Sequence, residues 1–497
     1  MFTSEWFQGK HVTVMGLGLH GGGLGAAKWL LAHGAVVTVT DLRDAEVLAP
    51  SMKELDRAYA ATLRKYGKAR AHRIRYVLEG HDEADFKTAD MVIQNPGVPR
   101  EHPLLAVAKK HRVRVESEVS LFFLLCPFPI TAVSGTKGKS TTTTLLAEIC
   151  KASDPQTVIG GNIRVSVLES LDRLIALSKK KNVVPPPIVL ELSSWQLESL
   201  EPHHLSPHTA VLTNILEDHL NRYHGMEDYA RAKEIIVAFQ REGDIAIMNA
   251  DNARTAAIGH RRGAIADAPH GGARRWFSVK PLARGLDGCF VRGASVVVRE
   301  EGKETVAFPL SVVQLPGKHN IANVLAATAA ARAVGVSFVV IHKVVKKFGP
   351  VSGRLASVRT LRGITFVNDT TASTPDASIA AMDTFGSPGK KQVVLISGGA
   401  DKELRFNDWA KKVQRTVKHV VMFDGSATPK MVAALAAVGS RVTTSVARSM
   451  REAVEAAVIH AKKGDTVLLS PGCASFGIFH NEFDRGDQFV ALVKKLR

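Results

Sequence analysis

At 497 residues the chain is too long for one ordinary core, so about three domains are expected. Lysine and arginine outnumber the acidic residues by 65 to 47, but the excess is spread along the chain without interleaved aromatic residues. A solvated basic surface is therefore favoured over a nucleic-acid footprint. The most apolar stretch, VSLFFLLCPFPITAV, is short and contains two prolines, so no membrane span and a cytoplasmic location are expected.

The cysteine spacing excludes two further classes of protein. The chain has four cysteines, far apart in sequence and without a CxxC or Cys/His pattern: Cys126, Cys150, Cys289 and Cys473. Zinc sites and disulfide frameworks need closer or more numerous cysteines, so free thiols are expected.

Strand-like apolar runs alternate with helical patterns, which predicts an α/β protein with mostly parallel sheets. The first set of strands is HVTVMG, AVVTVTD, ADMVIQNPGVP and VRVESEVSLFF, followed by a proline-rich linker at 126–130. The second set is ITAVSG, PPPIVLELSS, TAVLTNI and DIAIMN, with the basic run 259–285 expected as a long surface excursion. The third set is ITFVND, KQVVLISGG, KHVVMFDG and DTVLLSPG.

The first glycine-rich turn follows the first strand. Gly16, Gly18 and Gly21 satisfy GxGxxG, and Asp41 ends the next strand. This pattern is typical of dinucleotide binding, although the same turn and helix N-terminus accept any nucleotide diphosphate. Glycines required only for tight packing are the alternative.

A second glycine-rich turn, GTKGKST at 135–141, also lies between a strand and a helix. It departs from the eight-residue P-loop because Val133 stands where the first glycine is expected. Gly138 allows the backbone to close around phosphate oxygens, and Lys139 can reach the terminal phosphates. Ser140 or Thr141 can ligate magnesium, so nucleoside triphosphate binding is predicted.

Further motifs follow this loop. They are GGNI at 160–163, LELSSWQLE at 190–198, NILEDHLNRY at 214–223, YARAKE at 229–234, LPGKHNIANVLAA, GRL, ND, GGADK and LSPGCASFG. Together with GTKGKST they resemble the Mur ligases, ATP-dependent enzymes that add amino acids to the UDP-linked muropeptide precursor of peptidoglycan. The first-domain GLGL, ELSSWQLE and SPGCASF are most similar to the branch that adds glutamate to UDP-N-acetylmuramoyl-L-alanine.

This resemblance implies three domains and a use for both loops. A Rossmann-like domain at 1–127 would bind the UDP precursor, a P-loop ATPase domain at 128–348 would bind ATP, and a Rossmann-like domain at 349–497 would bind the amino acid. ATP and magnesium would activate the precursor carboxylate as an acyl phosphate, which the amino acid would attack. UDP-N-acetylmuramoyl-L-alanine and glutamate would be the substrates, and a monomer is expected.

The resemblance also implies site residues. The precursor would contact Gly16, Leu17, Gly18, Leu19, Asp41 and Asn162. ATP would contact Gly135, Thr136, Lys137, Gly138, Lys139, Ser140, Thr141, Asn320, Asn323, Arg354 and Asp369. Catalysis would use Lys139, Glu191, His219 and Lys233, and the magnesium ligands would be Ser140, Glu191, His219 and a carbamylated Lys233. The amino acid would contact Ser373, Lys402, Ser475, Phe476 and Phe483.

Structural roles remain open for several of these residues. Glu191 could form an edge ion pair, His219 could be structural, Lys233 could be a solvated helix residue, and the two asparagines could cap a helix. The phenylalanines could serve packing alone.

Two residues depart from the family pattern. Arg164 stands where a glycine is common, and Thr371 stands where the D-glutamate enzymes commonly carry a lysine, in NDSKAT. D-glutamate is the expected amino acid, with L-glutamate as the alternative. A nicotinamide dehydrogenase would use only the first loop, and a nucleic-acid-stimulated ATPase would need a binding motif that the sequence lacks.

Overall fold

The protein is built from three β-sheets with helices packed against them, as the sequence predicts. The computed structural model describes residues 3–19, 21–67, 74–163, 165–218, 222–261, 271–387 and 389–497. Short 3₁₀ segments occur at Ser4–Phe7, Val167–Ser170, Glu201–His203 and Leu310–Val312.

The first sheet has five parallel strands in the order β3-β2-β1-β4-β5. The strands are β1 His11–Met15, β2 Val36–Asp41, β3 Arg75–Leu78, β4 Met91–Gln94 and β5 Arg114–Glu116. The helices are α1 Gly22–Ala32, α2 Ala45–Tyr66, α3 Ala84–Lys87, α4 Pro103–Lys110 and α5 Glu118–Leu125.

One predicted strand of this sheet is half helix. The run VRVESEVSLFF was expected to be extended throughout, but α5 begins at Glu118, two residues after β5 ends. The Ser117 side chain accepts a hydrogen bond from the Ser120 backbone N–H, and the Ser120 hydroxyl accepts one from the Ser117 backbone. This capping box begins a helix within an apolar run whose pattern by itself predicts a strand.

The second sheet has nine strands in the order β14-β13-β12-β11-β10-β9-β6-β8-β7. The strands are β6 Thr131–Ser134, β7 Val158–Gly161, β8 Ile188–Glu191, β9 Thr209–Leu212, β10 Ile245–Asn249, β11 Ala273–Ser278, β12 Gly288–Arg292, β13 Ser295–Glu300 and β14 Lys303–Pro309. The helices are α6 Lys139–Ser153, α7 Leu171–Ser178, α8 Ser194–Glu198, α9 Met226–Ala238, α10 Ala253–His260, α11 His319–Ala333 and α12 Phe338–Val345.

The prediction that 259–285 forms a surface excursion is wrong for Ala273–Ser278, which is a strand of the second sheet. β11 pairs in parallel with β10, and its Trp276 and Phe277 are buried. The strand begins with Ala-Arg-Arg, so its charged first half hides the signal, whereas the apolar second half completes the sheet. Residues 262–270 of this run lie outside the described residues.

The third sheet has six strands in the order β15-β16-β20-β17-β18-β19. The strands are β15 Ala356–Leu361, β16 Ile364–Asn368, β17 Val393–Ser397, β18 Val417–Phe423, β19 Thr443–Ala447 and β20 Thr466–Leu469. The helices are α13 Pro375–Phe385, α14 Asn407–Thr416, α15 Thr428–Ala437, α16 Met450–His460 and α17 Glu482–Lys495. β15 pairs antiparallel with β16, and the other pairings are parallel.

The third sheet shows why continuous apolar runs become its central strands. Val393 and Leu395 of β17 pack into one hydrophobic cluster, whereas Val394 and Ile396 pack into another on the opposite face. A strand covered by helices on both faces needs apolar residues at every position, because its successive side chains point to opposite faces.

The chain divides into two compact units. One contains Met1–Leu216, Glu227–Phe308 and Leu325–Val344, and the other contains Glu217–Met226, Pro309–Val324 and Val345–Arg497. None of the helices in the described ranges combines the length and apolarity needed to cross a bilayer. The four cysteines are free thiols.

A buried histidine makes the third sheet sensitive to acid. The His419 ring is buried on β18, with Nδ1 2.7 Å from Thr443 Oγ1 and Nε2 2.9 Å from Ser445 Oγ, and it stacks on His460. Burial, and then the neighbouring His460, lower the pKa of His419 to about 4. The unfolded chain therefore binds a proton more readily, and stability is lost as the pH falls from about 6.5 towards this value.

We predict that moving from about pH 7 to about pH 5 destabilises the wild-type protein more than His419→Gln, by up to about 2 kcal/mol. Urea unfolding followed by circular dichroism at the two pH values measures the difference. His111→Gln, which changes an exposed histidine, should keep the wild-type pH dependence. An equal pH dependence in wild type and His419→Gln would contradict this account.

Candidate active site

The first glycine loop has the geometry of a phosphate-binding turn. Gly16, Gly18 and Gly21 have positive φ values of 90°, 68° and 72°, and α1 begins immediately after them. At Gly23 an added Cβ would lie 2.0 Å from the Gly16 carbonyl oxygen. Glycine is required here because the helix backbone packs directly against the turn.

Asp41 shapes this loop from the end of β2. Its buried carboxylate accepts hydrogen bonds from the backbone N–H groups of Gly18, at 3.2 Å, and Arg43, at 3.1 Å. Both oxygens therefore have partners within the protein. A role in precursor binding stays a prediction, as it does for Leu17, which is fully buried, and Leu19, which is half-buried.

A cleft of about 240 Å³ opens beside the loop, at the carboxyl ends of β1, β2 and β4. It is lined by Gly16, Asp41, Arg43, His81, Asn95 and His102, among others. The strand order reverses between β1 and β4, which is where open parallel sheets bind ligands. A nucleotide site in this cleft stays a prediction.

The second glycine loop connects β6 to α6. Gly138 has a φ of 85° and directly precedes the first residue of α6, so the loop leads straight into the helix N-terminus, where unpaired N–H groups attract anions. Gly135 has a φ of 145°, and a Cβ there would lie 1.9 Å from Thr213 Oγ1. Any side chain at Gly135 would displace the loop.

Two residues after β9 brace this loop. Asn214 accepts a hydrogen bond from the Lys137 N–H at 2.9 Å and donates to the Lys137 carbonyl at 3.0 Å, while its own carbonyl accepts from Thr136. Thr213 Oγ1 donates to the Lys137 carbonyl at 2.7 Å. The loop conformation is therefore held by the neighbouring strand.

Two lysines converge on this loop. Lys139 Nζ donates to the carbonyl oxygens of Gly135, at 2.8 Å, and Thr136, at 2.9 Å. Lys233 Nζ, from α9, donates to the same Gly135 oxygen at 3.0 Å and lies 4.7 Å from the centre of the Tyr229 ring. Lys233 is 1% exposed, which excludes the solvated helix position that the sequence left open.

Glu191 ends β8 opposite Val133, directly beside the loop strand. It is 1% exposed, and its Oε1 accepts a hydrogen bond from Asn162 Nδ2 at 2.9 Å. Its buried Oε2 has no hydrogen-bond partner among the described residues. A buried carboxylate oxygen without a partner is costly unless a ligand satisfies it, so Glu191 fits a divalent cation.

The structure gives less support to the other predicted magnesium ligands. Ser140 is the second residue of α6 and 9% exposed, which suits a hydroxyl ligand at the loop. Across the described ranges no group of three or more His, Cys, Asp or Glu side chains could hold a metal by itself. His219 and Arg164 lie outside the described residues.

The two predicted adenine-side asparagines form a pair at the start of α11. Asn320 Nδ2 donates to the Pro316 carbonyl at 2.6 Å, and Asn323 Nδ2 donates to Asn320 Oδ1 at 2.8 Å. Both residues are 6% exposed. Adenine contact stays a prediction for both.

In the third sheet the predicted residues follow β16, β17 and β20, which are adjacent strands. Asp369 accepts hydrogen bonds from the Leu355 N–H at 3.1 Å and from Ser470 Oγ at 2.8 Å. Lys402 Nζ lies 3.4 Å from Ser373 Oγ, so the structure brings these two predicted amino-acid contacts together.

The other predicted residues of this unit differ in exposure. Ser475 is 3% exposed, Phe476 is 64% exposed, and Phe483 and Arg354 are half-buried. The Phe476 side chain is therefore accessible to a ligand, whereas Ser475 is buried.

Comparisons with known proteins identify the family to which the chain belongs. Residues 10–117 match the N-terminal domain of MurD-like Mur ligases, residues 133–331 match the Mur ligase middle domain, and residues 353–473 match the Mur ligase glutamate ligase domain. A UDP-N-acetylmuramoylalanine–D-glutamate ligase of Roseiflexus sp. (strain RS-1) is 43% identical over 494 residues, covering 98% of each chain. The chain belongs to the Mur ligase family.

More distant relatives agree. A UDP-N-acetylmuramoylalanine–D-glutamate ligase of Geobacter metallireducens is 34% identical to this Mur ligase over 98% of each chain. A crystal structure of UDP-N-acetylmuramate–alanine ligase from Thermotoga maritima has a TM-score of 0.58 at 20% identity, covering 98% of this chain and 99% of that one. This structural likeness shows the shared fold.

Family membership makes this Mur ligase an ATP-dependent enzyme that forms a C–N bond in peptidoglycan synthesis. It removes the dehydrogenase alternative, for which no comparison gives support. The boundaries at 127 and 348 stay predictions, as do the roles assigned to individual residues.

Sequence reasoning missed Glu118, which bonds to the segment after β7 and lies beside the first residue of α1. Its buried Oε1 accepts a hydrogen bond from Ser166 Oγ, and a Cβ at Gly22, the first residue of α1, would lie 3.3 Å from its Oε2. Burial raises the pKa of Glu118 to about 7. A single acid on an apolar run carries no such signal, because its partners come from elsewhere in the chain.

We predict that Gly135→Ala weakens binding of a non-hydrolysable ATP analogue by more than about tenfold, because the added methyl collides with Thr213. Isothermal titration calorimetry measures the affinity. Gly243→Ala is the matched control, since Gly243 also has a positive φ, of 91°, but an added Cβ meets nothing within 4 Å. Equal affinities for the two variants would contradict the collision argument.

Proposed function

We propose that this Mur ligase adds D-glutamate to the L-alanine carboxylate of UDP-N-acetylmuramoyl-L-alanine. The observation that carries this proposal is the identity of 43% over 98% of both chains with a ligase of that name. The glycine loops support it, because the reaction needs one site for the UDP of the precursor and another for ATP. L-glutamate is the alternative amino acid, since Thr371 replaces the lysine of the common pattern.

In the proposed mechanism the second loop positions the ATP phosphates. The N-terminus of α6 would bind phosphate oxygens, and Lys139 would leave the carbonyls of Gly135 and Thr136 to bind the terminal phosphate. The precursor carboxylate would then attack the γ-phosphorus and release ADP. This step depends mainly on positioning and charge neutralisation.

Magnesium, held by Glu191 and Ser140, would neutralise charge on the transferred phosphate. Asn162 would hold Glu191 Oε1 and leave the buried Oε2 for the metal. The amine of the amino acid would attack the acyl carbon, and inorganic phosphate would leave through a tetrahedral intermediate. Lys402 and Ser373 would bind a carboxylate of the incoming amino acid.

Lys233 is proposed to carry a carbamate. Lys139 and Lys233 bond to one carbonyl oxygen, so their ammonium groups lie within two hydrogen-bond lengths of each other. A buried cation and a half-buried one this close repel each other. Addition of carbon dioxide to the uncharged Lys233 amine, with loss of a proton, would convert one of them into an anion suited to the metal side of the site.

The function is tested by phosphate release from ATP and magnesium with UDP-N-acetylmuramoyl-L-alanine, in the presence of D-glutamate, L-glutamate or neither. Turnover with D-glutamate alone is expected, with the product confirmed by mass. Turnover with L-glutamate alone would reassign the amino acid. Failure with both would overturn the proposal.

Carbamylation is tested by ¹³C NMR in ¹³C-labelled bicarbonate. A carbamate resonance is expected in the wild-type protein, and it should be absent in Lys233→Met. It should weaken in Lys139→Met, because this change removes the neighbouring cation whose repulsion favours the carbamate. A resonance that survives in Lys233→Met would place the modification elsewhere, and no resonance in wild type would refute it.

A further inference from the structure

Arg485 is a fully buried cation near the predicted amino-acid site. It lies in the first turn of α17 and is 0% exposed. Among the described residues no carboxylate comes within ion-pair distance of its guanidinium. Burial lowers the pKa of Arg485 to about 10, while the more distant charge of Glu482 opposes the shift. At neutral pH the group is therefore charged.

The guanidinium joins two turns of the third sheet. Its Nε donates to Thr370 Oγ1 at 3.1 Å, and its Nη2 donates to the Thr370 carbonyl at 2.7 Å. Its Nη1 lies 3.4 Å from the Cys473 carbonyl. Thr370 Oγ1 in turn donates to the Glu482 carbonyl at 2.6 Å, which ties the turn after β16 to the start of α17.

Both turns carry residues predicted to receive the amino acid. Ser373 follows Thr370 by three residues, and Ser475 follows Cys473 by two. Thr371 supplies no positive charge, and its hydroxyl donates a hydrogen bond to the Gly353 carbonyl. Within this unit Arg485 is thus the buried positive charge that touches both turns.

Burying an unpaired guanidinium is costly, and an apolar side chain of similar volume would commonly be as stable or more stable. Bonding to three oxygens accounts for the orientation of the arginine, but a neutral amide could also donate to such oxygens. The retained charge calls for a negative partner that the described residues do not supply. Glutamate would bring two carboxylates to this place.

We propose that Arg485 is a positioning and specificity residue for the incoming dicarboxylic amino acid. It holds the turns at Thr370 and Cys473 in place, and its charge favours an anionic side chain on their accessible faces. This inference rests on the proposed function, because it takes glutamate as the amino acid. Arg485 does not itself contact the reacting atoms, since it is fully enclosed by protein.

The test compares Arg485→Gln, which removes the charge and keeps donors, with Arg485→Lys, which keeps the charge. For Arg485→Gln, KM for glutamate should rise by about tenfold or more, while KM for ATP and for the UDP precursor stays within about twofold. Arg485→Lys should keep KM for glutamate within about threefold of wild type. Adding Thr371→Lys to Arg485→Gln should restore part of the lost affinity for glutamate.

Arg359→Gln is the matched control. Arg359 clamps the other end of α17 by bonding to the carbonyls of Val493, Lys494 and Leu496, at 3.4, 3.2 and 2.8 Å. Its loss should lower the midpoint of thermal unfolding without changing KM for glutamate. If Arg485→Gln behaves like Arg359→Gln, or if Thr371→Lys gives no rescue, Arg485 is structural and the inference is overturned.

Three further outcomes are decisive. Should Arg485→Gln not fold, a rise above about tenfold in KM for glutamate with Arg485→Lys overturns the role of the charge. If the wild-type enzyme turns over no acidic amino acid, the proposed function and this inference fall together. Wild-type turnover of glutamate with an unchanged KM in Arg485→Gln overturns this inference alone.

Discussion

The carbonyl oxygen of Gly135 accepts hydrogen bonds from both Lys139 and Lys233, and the second glycine loop is organised around this point. The oxygen can lie there only because Gly135 has a backbone conformation and a lack of side chain that no other residue provides. The parallel pairing of β6 with β8 then places Glu191 beside the same loop. Two lysines at the loop and a buried acid with an unsatisfied oxygen are the two features that the proposed magnesium–phosphate site requires.

A constraint of parallel sheets accounts for the distribution of the other predicted residues. Each strand of a parallel sheet delivers its following turn to the same edge, so residues far apart in sequence meet without a dedicated scaffold. In the first sheet this brings Asp41 to the glycine loop. In the third sheet it brings Ser373 to Lys402. In both units the glycine loops and polar turns therefore lie at the carboxyl edge of a parallel sheet.

The buried polar groups of the enzyme differ in how they are satisfied. Asp41 and Asp369 have both carboxylate oxygens bonded within the protein, so they shape their loops whatever ligand binds. Among the described residues, Glu191 Oε2 has no hydrogen-bond partner, and Arg485 has no carboxylate within ion-pair distance. Because unsatisfied buried groups are costly, ligands at the proposed magnesium and amino-acid sites would account for these two groups.

The sequence by itself determined the α/β class, both glycine loops and most central strands. These signals are local: a glycine turn between strand and helix needs only its own backbone, and a doubly covered strand such as β17 needs only consecutive apolar residues. Tertiary structure decided the strand at Ala273–Ser278, whose arginines mask it, and the helix that interrupts VRVESEVSLFF. It also decided the roles of Glu118 and Arg485, because the burial and partners of a charged side chain depend on segments that meet it only after folding.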